Sequence, residues 1–208
     1  MTLPPIDPAK VIDAAIELAA ESSWEDFSLI ELSRRLNCSL VDIKHYFRSK
    51  DDMAECLFDR ADDAMMQLAS QSDFQPRPVA QKLEDLMLCW FESLADIKPL
   101  VVEILAYKLE PGHFHLQAHG ITRVSRTVQW FLAGADRRKT GIARVADEIA
   151  VTSAYLASFS CFLYDRTEGH TKTRKFLKHL LDKIDQGHQL FSPMQGSASA
   201  VDRRDSKH

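Results

Sequence analysis

Residues 28–53, Ser28-Leu-Ile-Glu31-Leu-Ser-Arg-Arg-Leu-Asn37-Cys-Ser39-Leu-Val-Asp42-Ile-Lys-His-Tyr-Phe-Arg-Ser49-Lys-Asp-Asp52-Met53, decide the fold. Ser28 and Glu31 have the spacing of a capping box, in which the hydroxyl and the carboxylate each satisfy a free backbone N–H at a helix start. That box opens a short helix to about Leu36, and Asn37 can take the left-handed conformation that ends a helix where glycine is absent. Ser39 and Asp42 repeat the box and open a second, very short helix carrying Ile43, His45, Tyr46 and Phe47. Ser49 opens a long third one with Met53, Leu57, Ala61, Ala64, Met65 and Leu68 on one side.

Outward from this stretch the helical pattern continues. Asp7 is placed as an N-cap with Pro8 at the first helical position, and Ile12, Ala15, Ile16 and Ala19 share a face to about Glu21. Trp24 and Phe27 are expected to staple the following turn into the core. The stretch from Ser70 to Pro78 reads as a hinge. Beyond it Val79, Leu83, Leu86, Trp90 and Leu94 form one stripe; Leu100, Val101, Ile104 and Leu105 a second; Ile121, Val124, Val128, Phe131 and Leu132 a third. The segment Gly134 to Gly141 reads as a polar loop. Val145, Ile149, Thr152, Leu156, Phe159 and Leu163 then alternate steps of four and three, the spacing of a heptad seam. Thr173, Phe176, Leu177, Leu180, Leu181 and Ile184 repeat it in the last helix. Residues 192–208 lack apolar periodicity and are expected to be disordered.

Composition narrows the function classes. With 45% hydrophobic and 27% charged residues and only seven glycines, the chain reads as a globular, all-α protein. No apolar run reaches the roughly 20 residues of a membrane helix, and the N-terminus lacks the pattern of a secretory signal. Cys38, Cys56, Cys89 and Cys161 make no CxxC pair and read as thiols of a reducing cytoplasm. No nucleophile elbow or glycine-rich phosphate loop is present, so neither an enzyme nor a cofactor is expected. His115 and His119 are spaced i, i+4 near His113, but no nearby carboxylate or cysteine completes a metal set, and an ordinary polar turn is the expectation.

The segment from Val11 to Met53, about a fifth of the chain, resembles the DNA-binding head of the TetR family of helix-turn-helix regulators. The resemblance rests on Ile12-Asp13-Ala14-Ala15, Ser28-Leu29, Leu32, Ser39, Ile43, His45-Tyr46-Phe47 and Ser49-Lys50-Asp51-Asp52-Met53, the last two strings being the most specific. It implies a three-helix head over residues 1–54 and a ligand-binding and dimerisation body of about five or six helices over 55–191. The partners it implies are a palindromic operator DNA, a second copy of the chain and a small hydrophobic effector, and the function is that of a ligand-responsive repressor. The DNA-contacting residues would be Ser28, Ser39, Leu40, Asp42, Lys44, His45, Tyr46 and Lys50. Among these, Ser39, His45, Tyr46 and Lys50 match residue types the family uses for capping and for base or phosphate contact, and Lys44 replaces the usual aromatic.

Other positions depart from the family. Phe27 stands where a phosphate-binding threonine is usual, and Ile30 where a polar residue is common. Leu40 and Val41 replace basic or small residues, and Asp42 replaces a hydroxyl. Asp42 has two readings: a partner of the Ser39 cap, or an acceptor for a cytosine amino group. From Met1 to Glu55 there are eleven acidic and six basic residues, a net −5, against −4 for the whole chain; DNA-binding modules usually carry a basic face. Arg34, Arg35, Lys44, Arg48 and Lys50 nevertheless cluster.

In the body, Met87, Trp90, Tyr107, Phe131 and Phe159 have core-like spacing and are either core or the lining of an apolar pocket between helices. The expected dimer interface comprises Val145, Ile149, Leu156, Leu163, Leu177 and Leu181. Phe162-Leu163-Tyr164-Asp165 with Thr173 and Phe176-Leu177 is similar to the C-terminal part of the TetR-like ubiquinone-biosynthesis accessory proteins. That likeness implies the alternative function, a lipid-binding protein that does not bind DNA.

Overall fold

The computed structural model describes residues 6–109 and 114–191, with side chains described for all of these except 109, 114–119 and 188–191. The expectations for 192–208, for His113 and for the side chains of His115 and His119 lie outside the described residues. Asp7 caps the first helix by accepting from the Ala9 N–H, and α1 spans Pro8–Glu21. The two capping boxes both form, opening α2 (Leu29–Arg35) and α3 (Leu40–Tyr46). Between them Asn37 sits at φ 49° and the Cys38 N–H reaches back to the Ser33 carbonyl at 3.0 Å. This left-handed residue closes α2 by satisfying its last carbonyls. Ser49 then caps α4 (Lys50–Ala69) by accepting from the Asp52 N–H. Trp24 and Phe27 are buried, edge to face, so the turn after α1 is stapled as its composition predicts.

The remaining helices are α5 (Val79–Glu92), α6 (Lys98–Leu109), α7 (Phe114–Gly134), α8 (Gly141–Tyr164) and α9 (Thr171–Phe191), with 3₁₀ turns at Ala95–Ile97 and Glu168–His170. Among the described residues there are thus nine α-helices and no strand, with six of the helices forming the body. α4 runs unbroken across the expected boundary at 54/55, so one rigid rod belongs to both head and body. α5 lies at the centre, packed on α4, α7, α8 and α9. Its buried Leu86, Trp90 and Phe91 join Tyr155, Phe159 and Phe162 of α8 in an aromatic core. Gly134 lets the end of α7 approach: a Cβ there would stand 3.0 Å from Leu86 Cδ1.

Three expectations need correction. Ile121 is exposed, so the third stripe begins only at Val124. The loop from Gly134 to Gly141 is not simply polar surface: the Arg137 guanidinium is buried, 2.8 Å from Asp147 of α8 and 2.8 Å from Asp185 of α9. Leu177 and Leu181 are in the protomer's own core, Leu177 fully, so they present no surface to a partner.

The junction of α8 and α9 is held by Asp165. Its buried carboxylate accepts from the Thr167 N–H and hydroxyl at 2.9 and 2.6 Å and from the Thr173 N–H and hydroxyl at 2.8 and 2.7 Å. Burial works against the charge, but these four bonds outweigh it and hold the carboxyl well below the ordinary range. A depressed carboxyl stabilises the fold above its unfolded value, near 4, and that contribution is lost as pH falls from there toward the folded value. Asp165→Asn is therefore expected to be less stable at pH 7 and to show a shallower loss of stability below about pH 4. Urea midpoints of the two proteins across that range check it.

Candidate DNA-contacting face and its linkage to the body

The two boxes determine what α3 presents. Asp42 accepts from the Ser39 N–H at 2.8 Å and from the Ser39 hydroxyl at 2.7 Å, and these bonds lower its carboxyl from the ordinary value. Of the two readings of Asp42, the cap partner is thus formed within the protein. Ser28 and Ser39 are likewise engaged as caps, each accepting from a backbone N–H of its own helix. Glu31 closes the α2 box through the Ser28 N–H at 2.8 Å.

What remains outward on α3 is apolar and cationic. Val41 is 76% exposed, Leu40 45% and Tyr46 39%. Lys44 and His45 are exposed beside them, with the His45 and Tyr46 rings edge to face at 4.9 Å. Val41, Lys44 and His45 follow i, i+3, i+4 spacing and share one helix face. Ile30, on α2, is also exposed.

Lys50 is half-buried against the turn before α2. Its ammonium donates to the carbonyls of Glu25 and Phe27 at 2.9 and 3.0 Å and lies 4.2 Å from the Phe27 ring centroid. Burial draws it below the ordinary lysine value, against the pull of Glu25 and Asp26. Phe27, which replaces the usual threonine, is the floor of this contact. Two more head cations are neutralised within the protein, Arg35 by Glu21 at 2.7 Å and Arg48 by Asp52 at 2.9 Å. Lys44 has no ion-pair partner among the described residues.

Behind the head, α4 carries an acidic stripe: Asp51, Glu55, Asp59 and Asp62. The body grips it with buried cations. Lys108, from the end of α6, lies 2.5 Å from Asp51 and 2.6 Å from Glu55. Burial opposes its charge, but these bonds prevail and raise its pKa. Arg123 of α7 pairs with Asp59 and lies 2.9 Å from Asp62 and 3.6 Å from Glu55. Asp62 also accepts from the Trp90 indole N–H at 2.8 Å and the Thr127 hydroxyl at 3.1 Å. Its burial raises the carboxyl above the ordinary range against the pull of Arg123. A further bond crosses to the head: the Glu103 carboxylate of α6 accepts from the Trp24 N–H at 2.9 Å.

Of the five residues expected to line a pocket, Met87, Trp90, Phe131 and Phe159 are buried in mutual contact with the core, and Tyr107 is half-buried on α6. Trp90 and Phe159 meet edge to face at 5.2 Å, and Phe131 meets Tyr155 at 5.3 Å. The expected dimer residues separate. Val145, Ile149 and Leu156 are exposed, at 51%, 62% and 41%, and Leu163 is half-buried. Val145 and Ile149 line an open furrow with Glu148, Thr152 and Ser153. A strict heptad drifts around a straight helix by about 20° per repeat. The outward stripe accordingly passes to Tyr164, while Phe159 turns into the core.

Among the described residues no three His, Cys, Asp or Glu side chains are placed to hold a metal ion. No described helix is long and apolar enough to cross a membrane. A capped helix-turn-helix head, joined by a continuous linker helix to a helical body, defines the helix-turn-helix regulator architecture. The chain is similar to the TetR transcriptional regulator from Nitrosomonas europaea ATCC 19718, with a TM-score of 0.77 and 34% identity over 86% of this chain and 98% of that one. The chain belongs to the TetR family of transcriptional regulators. The transcriptional regulator FadR from Bacillus subtilis, solved in complex with stearoyl-CoA, shares the fold at a TM-score of 0.52 and 14% identity, over 84% of this chain and 98% of that one. No family model and no curated protein matches the chain.

Proposed function

We propose that this protein is a homodimeric DNA-binding regulator, a ligand-responsive repressor, with a DNA-reading head over residues 1–54 and an effector-binding and dimerising body over 55–191. The observation that carries the reading is the α3 face. Two capping boxes hold a short helix with Val41, Lys44, His45 and Tyr46 outward, the arrangement by which a recognition helix enters a major groove. Lys44, Tyr46 and His45 supply base and phosphate contacts, whereas Lys50 positions the turn beneath them. The partner copy docks on the α8 stripe of Val145, Ile149 and Leu156 with Phe176 of α9, an apolar surface beyond what a lone protomer needs.

The effector is a small hydrophobic molecule entering around Met87, Trp90, Tyr107, Phe131 and Phe159. The rings there are in contact, so entry displaces Trp90, whose indole N–H holds Asp62 of the linker helix. Loosening that bond lets α4 tilt and alters the separation of the two recognition helices. The effector releases DNA to the extent that it prefers the altered state. The Bacillus subtilis fold relative was solved with stearoyl-CoA, whose acyl chain is apolar, and this supports a ligand with an apolar part for such a body.

A second reading, a lipid-binding accessory protein without DNA affinity, is favoured by one observation. Ile30, Leu40 and Val41 are exposed while Lys50, Arg35 and Arg48 are engaged within the protein. A salt series with duplex DNA from upstream of the protein's own gene separates the two. The regulator binds with log K falling linearly in log salt, and Lys44→Ala reduces the slope by about one. Absence of binding at low salt, with a lipid co-purifying, establishes the second reading instead.

A further inference from the structure

The exposed end of α3 carries more information than a docking role. Val41 and Leu40 are the outward apolar side chains nearest its start, where recognition-helix residues meet base edges. An aliphatic side chain can hydrogen-bond no base, but it discriminates by packing on the 5-methyl group that thymine alone presents in the major groove. The nearby polar candidates are committed elsewhere: the Ser39 hydroxyl and the Asp42 carboxylate bond each other at 2.7 Å, and the Glu31 carboxylate closes the α2 box.

Charge at this face also fits duplex DNA as the occupant. Lys44 lies one turn on from both Leu40 and Val41, and it has no ion-pair partner among the described residues. The carboxylates of the two capping boxes, Glu31 and Asp42, are held by their caps.

We propose that the protein selects its half-site through thymine 5-methyl groups, with Val41 and Leu40 as the reading side chains. The proposal rests on the DNA-binding reading above and names what that face recognises.

The test uses the full-length protein and duplexes it enriches from a random-sequence pool, with each thymine replaced singly by deoxyuridine. The replacement removes the methyl and leaves the base pairing intact. One or two thymines in each half-site are expected to be sensitive, each replacement weakening binding about fourfold, the worth of one buried methyl. Val41→Ala, a change at an exposed position, should weaken binding to the thymine duplex and lose discrimination at one of those positions. If enriched duplexes bind but every deoxyuridine replacement leaves affinity within 1.5-fold, taking that as roughly the limit against a fourfold signal, the methyl reading is wrong and DNA binding stands. Discrimination that survives in both Val41→Ala and Leu40→Ala also overturns it. If no duplex is enriched, the DNA-binding reading falls together with it.

Discussion

Arg123→Ala is expected to lower the stability of the protein by about 3–5 kcal/mol, the cost of leaving a buried charge without its partner. Arg123 is 8% exposed and faces Asp59, Asp62 and Glu55 at once. Without it Asp62 keeps the Trp90 and Thr127 bonds but loses the Arg123 cation, and its carboxyl, already raised by burial, is driven further toward the protonated form. The urea midpoint reports the loss, with an unchanged m-value indicating that the unfolded state is not the cause. A loss below about 1 kcal/mol in Arg123→Ala would place this pair among surface ion pairs. Where the variant is still folded, its looser α4 should weaken DNA binding, although Arg123 lies far in sequence from α3.

Ile149→Glu is expected to convert the proposed dimer to monomers at micromolar concentration. Ile149 is the most exposed of the expected interface residues and sits in the furrow beside Val145. In a two-fold interface every substitution enters twice, so two carboxylates lose water together, at several kcal/mol each. Sedimentation at equilibrium reads the outcome, and Leu156→Glu, on the same stripe, should behave alike. Leu177→Glu makes the contrast. Its side chain is buried within the protomer, so it should unfold the protein instead of dissociating it. A dimer that persists in both Ile149→Glu and Leu156→Glu would move the interface off α8.

The head was legible because its signals are local. Ser28 with Glu31, Asn37, and Ser39 with Asp42 act within a few residues, and each forms as its spacing implies. The body's apolar stripes were legible for the same reason. Long-range polar contacts were not. Asp51, Glu55, Asp59 and Asp62 have the spacing of a solvated face, and nothing local says that Lys108 and Arg123 arrive against them from α6 and α7. One signal was available: Trp90 lies in an apolar stripe, and a buried indole N–H needs an acceptor. Arg137 was lost in a run of charges that looks like loop, yet it is buried between Asp147 and Asp185. Leu177 and Leu181 show the limit of periodicity, which identifies an apolar face without saying whether the protomer or its partner covers it. Lys50 matches a family position by type, and nothing local says that its ammonium lies over the Phe27 ring.

In the proposed function two α3 helices, held by a dimer built on α8, read DNA together. A hydroxyl-radical footprint of the full-length protein on a duplex it enriches tests this most directly. Two protected segments related by a two-fold axis are expected, with centres about one helical turn, roughly 34–36 Å, apart, and both should be lost in Ile149→Glu. A uniform cleavage pattern at low salt, or a single protected segment that Ile149→Glu leaves unchanged, would contradict it.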